Sequence, residues 1–160
     1  MEISAEELER RVQNAVEYFK QGFGCCQSVL TAFADLYGLT EEQALRAGAG
    51  FGGGVGRMRM MCGAVSGMVT LAGLAFGQTE GSDRKGKARC YKVVQELVEE
   101  FRKENGSIIC AELLGLKGPV PTGDFTPSER NAEYYRVRPC AAKVESAARI
   151  FATKICNCSI

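Results

Sequence analysis

The run from Met60 to Phe76 constrains this chain more than any other feature. It holds 17 residues without one charged side chain, so it must leave water. The length is at the lower edge of a membrane span, which takes about 20 apolar residues. Small or polar residues interrupt it at Gly63, Ser66, Gly67, Thr70 and Gly73. The expectation is a buried central helix in a protein without a membrane span. The start of the chain, MEISAEELERR, is acidic and polar and lacks the basic start and apolar core of a signal peptide. A cytoplasmic protein is expected.

Elsewhere the apolar residues recur at helical spacing. Ser4-Ala5-Glu6-Glu7 reads as a capping box and opens a helix with Leu8, Val12, Ala15, Val16 and Phe19 on one face. Gly22 and Gly24 stop it. A second helix begins near Cys25, buries Val29, Leu30, Phe33 and Leu36, and ends at Gly38. Thr40-Glu41-Glu42-Gln43 is another capping box, and its short helix runs into Gly48 and Gly50. The apolar run forms a helix closed by Gly77. A further helix spans Ser82 to Glu104, with Cys90, Val93, Val94, Leu97, Val98 and Phe101 on one face. A turn of helix follows at Cys110-Ala111-Glu112-Leu113-Leu114. The stretch from Lys117 to Arg138 holds Pro119, Pro121 and Pro127 and reads mostly as loop, with one start signal at Thr126-Pro127-Ser128-Glu129. Tyr135-Arg136-Val137 could be extended. The last helix starts after Pro139 and buries Val144, Ala147, Ala148 and Phe151. No stretch alternates with the period of two that marks a strand. The fold class is all-α: residues 1–160 form a single compact domain of about six helices around the central apolar helix.

A formal net charge of +1 gives no electrostatic case for nucleic acid or an anionic membrane. Two local basic clusters, Arg84-Lys85-Gly86-Lys87-Ala88-Arg89 and Arg57/Arg59, read as solvated faces. Gly48-Ala49-Gly50-Phe51-Gly52-Gly53 matches G-x-G-x-x-G, but a helix precedes it where a dinucleotide fold needs a strand. Gly81 to Ala88 nearly matches a phosphate loop, yet Ala88 stands where the magnesium-binding hydroxyl belongs. No nucleotide cofactor is expected.

The chain carries 8 cysteines and no histidine. Imidazole ligands, histidine bases, Cys-His pairs and haem attachment through C-x-x-C-H are therefore excluded. In a reducing compartment, cysteines point to metal or redox duty rather than to a disulfide framework. Cys90, in register with Val94 and Leu97, reads as a buried structural thiol. Cys25, Cys62, Cys110 and Cys140 each fall at or near an expected helix start. Unpaired N–H groups and the dipole there favour thiolate over thiol. No C-x-x-C pair is present, so a shared site depends on the fold gathering distant helix ends. Cys156-Asn157-Cys158 is a C-x-C near the end of the chain, which could relay electrons or have no role. Cys26 adjoins Cys25 and one of the two should face the core.

Four cysteines in this order, with Cys25 in GCCQSVLTAF, Cys62-Gly63-Ala64-Val65-Ser66-Gly67 after FGGGVGRMRM, Cys110 in CAELLG and Cys140 at the last helix, resemble a known family. That family is recognised by a CGAxxG motif and four cysteines and is assigned redox activity from them. The resemblance covers about residues 10 to 155. It implies that the four motif cysteines converge, and that an oxidoreductase or transporter-associated protein could be the partner. Members typically have alanine at Cys26, so Cys26, Cys90, Cys156 and Cys158 are extras. Self-association into a homo-oligomer is compatible with such a domain. Three functions compete. The first is an iron–sulfur cluster or other thiolate-bound metal held by Cys25, Cys62, Cys110 and Cys140 for electron transfer. The second is metal-free thiol–disulfide chemistry, with Cys62 near Arg57 and Arg59 as attacking thiolate and Cys25 as a second catalytic cysteine. The third is a helical accessory subunit with structural cysteines.

Overall fold

The structure, a computed structural model, describes residues 2–118, 120 and 123–157. Its elements are helices: α1 (Ala5–Lys20), α2 (Cys25–Ala34), α3 (Glu41–Ala49), α4 (Gly63–Phe76), α5 (Arg84–Asn105), α6 (Cys110–Leu113), α7 (Ala132–Val137) and α8 (Cys140–Asn157). A 3-10 turn, Asp35–Tyr37, extends α2. Among the described residues no strand forms, and extended pairing is confined to one bridge between Met61 and Ile109. The all-α expectation holds. No described helix is long and apolar enough to cross a membrane.

Local signals place the helix ends. Ser4 Oγ accepts from the Glu7 backbone N–H at 3.1 Å. At α3 the box is reciprocal: Gln43 N–H donates to Thr40 Oγ1 at 3.2 Å, and Thr40 N–H donates to Gln43 Oε1 at 2.9 Å. Gly22, at φ +102°, turns the chain out of α1 through a conformation that side chains with a Cβ disfavour.

The core sits between α2 and α4, with α1, α5 and α8 packed around them. From Gly63 to Met68 every residue of α4 is buried, and from Ser28 to Ala34 every residue of α2 is. Glycine makes this approach close. A Cβ on Gly67 would lie 3.0 Å from the Cys26 carbonyl oxygen and from Val29 Cβ. Phe33 of α2 meets Phe151 of α8 edge to face, with ring centroids 5.2 Å apart. The hydroxyls in the apolar run return to their own helix: Ser66 Oγ donates to Cys62 O and Thr70 Oγ1 to Ser66 O.

Four expectations change. Cys90 is half-buried, although it shares its face of α5 with the buried Gly86, Val93, Leu97 and Phe101. The Thr126-Pro127 signal opens no helix. The helix there is α7, capped by Asn131, whose Oδ1 accepts from the Tyr134 N–H at 2.9 Å. Tyr135-Arg136-Val137 is accordingly helical. Helix α5 opens at Arg84 behind Asp83, whose Oδ1 accepts from Gly86 N–H at 2.8 Å. Pro119, Pro121 and Cys158 lie outside the described residues.

Candidate functional site

All four motif cysteines stand at helix starts. Cys25, Cys110 and Cys140 are the first residues of α2, α6 and α8, and Cys62 is the cap of α4. The fold brings these ends to one small cavity of about 70 Å³. Cys25, Cys62, Cys110 and Cys140 line it, with Arg59, Arg130, Tyr134, Arg138 and Lys143. Cys26, its side chain fully buried in the core, Cys90 and the exposed Cys156 are elsewhere. No described cysteine forms a disulfide.

Two pieces of backbone set the geometry. Gly63 begins α4 against the first turn of α2; a Cβ there would lie 3.1 Å from Cys25 Cβ. On the other side, Cys62 N–H donates to Ile108 O at 2.8 Å and Cys110 N–H to Met60 O at 2.6 Å. These bonds flank the Met61–Ile109 bridge and fix Cys62 beside Cys110.

The glycine run between α3 and α4 has unusual backbone. Gly53, Gly54, Val55, Gly56 and Arg57 follow one another at φ between +53° and +72°, and Arg59 lies at +61°. Left-handed backbone costs a non-glycine residue roughly 1–2 kcal/mol. Hydrogen bonds across the loop offset that cost, among them Arg57 N–H to Gly52 O at 3.0 Å and Met60 N–H to Gly54 O at 2.8 Å. The loop carries Arg59 to the site, where its guanidinium donates to Cys110 Sγ at 3.7 Å. Arg57 turns away and pairs with Asp124. A Cβ on Gly54 would stand 2.6 Å from Cys110 Cβ, so this glycine lets the loop lie against the cysteine. The glycines that resemble a dinucleotide loop therefore pack and turn: a Cβ on Gly48 would lie 2.9 Å from the Gln27 backbone.

The thiols are not equivalent. Cys25 and Cys140 line the same cavity, and each is the largest influence on the other's ionisation through thiol–thiolate hydrogen bonding. That influence, helped by Arg138, Arg130 and Arg59, outweighs burial and lowers the Cys140 pKa to about 6. The same influence, together with burial, pushes the Cys25 thiol well above its ordinary value. Cys140, which Arg138, Arg130 and Arg59 also favour as thiolate, is the more readily ionised thiol of the pair. Cys62 does not gain the lowered pKa that its helix-start position suggests. The N–H groups of Val65 and Ala64 pull it down, but burial wins and raises it to about 11. Burial likewise takes Cys26 to about 12.

Sequence reasoning missed Arg130, Tyr134, Arg138 and Lys143. Arg130 donates to Phe19 O at 3.0 Å and Phe23 O at 3.2 Å, closing the end of α1. It lies over the Phe19 ring at 4.3 Å and the Tyr134 ring at 4.7 Å. The available signal was Arg138, two residues before Cys140.

Residues 23–154 match the family model described as "Putative redox-active protein (C_GCAxxG_C_C)". The chain belongs to this family. The match spans all four cysteines at the cavity. Comparison with curated proteins and with solved structures gave no significant match.

The family is described by redox activity and named for its cysteine motif, and a thiolate-bound metal is one chemistry to test against the residues present. The donor type suits zinc or iron–sulfur centres. The spacing does not: among the described residues no three cysteine, aspartate or glutamate side chains are grouped so as to hold a metal ion.

Proposed function

We propose that the protein carries out thiol–disulfide exchange through Cys140 and Cys25. The observation that supports this reading is that Cys25 and Cys140 line one cavity and shift each other's ionisation more than any other group does. Cys140, as thiolate, attacks one sulfur of a disulfide R–S–S–R. A Cys140–S–S–R bond forms and RS⁻ leaves. Cys25 gives its proton to the departing thiolate and attacks Cys140 Sγ, expelling the second RS⁻. The two cysteines lose two electrons in forming their disulfide, and the substrate disulfide gains them in becoming one thiol, protonated by Cys25, and one thiolate, which takes its proton from water. Burial of Cys25 keeps it protonated until the mixed disulfide removes the charge on Cys140. Cys62 and Cys110 wall the cavity in this reading, and Cys62 passes the nucleophile's role to Cys140.

The test is trapping. In Cys25→Ser the mixed disulfide with 2-hydroxyethyl disulfide should persist on Cys140, whereas the wild type should move on to an internal disulfide. Peptide mass spectrometry reads both. A mixed disulfide that collects on Cys62 or Cys110 would sink the assignment.

A second reading is a thiolate-bound metal or iron–sulfur cluster on Cys25, Cys62, Cys110 and Cys140. It is supported by their sharing one cavity with three arginines. It requires the sulfurs to draw closer than they stand. Anaerobic reconstitution with iron and sulfide tests it: a colourless, iron-free product removes the reading.

A further inference from the structure

The lining of the cysteine cavity is charged on one side of neutrality. Arg59, Arg130, Arg138 and Lys143 line it, and no aspartate or glutamate does. Most arginines elsewhere pair with carboxylates, for example Arg11 with Asp35, Arg57 with Asp124 and Arg149 with Glu9. None of the four cavity cations forms an ion pair with a described carboxylate. Their partners are thiol, carbonyl, ring and amide: Cys110 Sγ for Arg59, Phe19 O and Phe23 O for Arg130, the Tyr134 ring for Arg138, and Asn105 Oδ1 at 3.0 Å for Lys143.

Bringing four cations to one concave site without a carboxylate works against folding. The charge of one thiolate does not balance them. Such a wall of one sign in a cleft concentrates ligands of the opposite sign and speeds their arrival by about 10-fold to 1000-fold. The size of the cavity sets a second limit. A volume of about 70 Å³ accepts the sulfur end of a small molecule, not the backbone flanking a protein disulfide. The charged part of the substrate then rests at the rim.

We propose that the substrate class is a small organic disulfide bearing carboxylates, drawn in by Arg138, Lys143, Arg59 and Arg130 so that one sulfur reaches Cys140. This deepens the thiol–disulfide reading and rests on it. The bond changes are those given above, with R carrying a carboxylate: two carboxylate-bearing thiols leave, and the Cys25–Cys140 disulfide remains.

The experiment uses the full reduced chain at pH 8 and low salt. Loss of free Cys140 is followed by peptide mass spectrometry with three disulfides of similar size: dithiodipropionate (anionic), 2-hydroxyethyl disulfide (neutral) and cystamine (cationic). The expected order is anionic, neutral, cationic, with a spread of at least about 10-fold that shrinks as salt is raised. Lys143→Gln and Arg138→Gln should each lower the ratio of anionic to neutral rates. The ratio is the readout because a change in thiolate fraction cancels from it. Equal rates for all three reagents overturn the substrate class while leaving the exchange chemistry standing. Failure of all three to react at Cys140 overturns the exchange reading itself, and the substrate class with it.

Discussion

Replacing Cys25 with alanine should do more than delete a resolving thiol. It removes the group that contributes most to the low Cys140 pKa. Burial of Cys140 still favours the thiol and the three arginines still favour the thiolate, so the pKa climbs from about 6 toward the ordinary 9.0. Two consequences oppose each other. Less thiolate is present at low pH, yet a thiolate of higher pKa is intrinsically the better nucleophile, with a Brønsted slope of about 0.4–0.5. In the limit of full return to the ordinary value, the variant reacts ~20-fold more slowly near pH 6 and ~20-fold faster near pH 10. The two rate profiles cross between about pH 7 and 8, and a partial return narrows both factors without removing the crossing. The assay is the rate of loss of free Cys140 with 2-hydroxyethyl disulfide, resolved by peptide, across that pH range. Coincident profiles for the two proteins, or a wild-type Cys140 that titrates near pH 9, would refute the claim that Cys25 sets the state of Cys140.

The fold makes further expectations. At Gly56, φ is +53° and a Cβ meets nothing within 4 Å. Gly56→Ala should therefore cost only about 1–2 kcal/mol, the left-handed backbone penalty. Gly54→Ala meets Cys110 Cβ and should cost roughly 1–3 kcal/mol more, with altered Cys110 reactivity; equal urea midpoints would contradict this packing. Phe151→Ala, in contact with Phe33 at the centre of the core, should destabilise by about 3–5 kcal/mol in urea melts. A loss below about 1 kcal/mol would mean that the α2–α8 contact is not where the structure has it. The folded Cys140 pKa, about 6, lies below the reference value of 9.0, so its contribution to stability is complete above pH 9 and lost as pH falls through 6. The stability gap between wild type and Cys140→Ser should accordingly narrow as pH falls from 9 to 6, and a constant gap would contradict the lowered pKa.

How much of this was legible in the sequence follows the range of each signal. The start signals at Ser4 and Thr40 are contained within four residues; Ser4 caps its helix from one side only, and Thr40 with Gln43 completes the box. The apolar run declared its own burial, and Gly63 and Gly67 mark where α4 meets α2. That Cys25, Cys62, Cys110 and Cys140 start helices was also local information. Their meeting at one cavity was not, because it depends on how four elements pack; only the family resemblance implied it. The state of each thiol was least legible. A helix start favours the thiolate at Cys62, but the dry surroundings of α4 outweigh two N–H groups there, and no sequence pattern gives that balance. At Cys140 the decisive partner is Cys25, more than a hundred residues away. The left-handed run through Val55 and Arg57 was hidden for another reason. Its glycines signal freedom, while its non-glycine residues are held by backbone hydrogen bonds within the loop, which no residue pattern announces. Arg59 read both as part of a solvated cluster and as a neighbour of Cys62; the structure sets its guanidinium against Cys110, which the local sequence does not show.

The most direct test of the account is the identity of the first disulfide formed. The reduced protein is exposed to one equivalent of 2-hydroxyethyl disulfide, quenched in acid, digested and mapped by mass spectrometry. The account predicts a Cys25–Cys140 linked peptide pair, with Cys62 and Cys110 still free. A first disulfide that joins Cys62 to Cys110, or one that leaves Cys140 reduced, would contradict it.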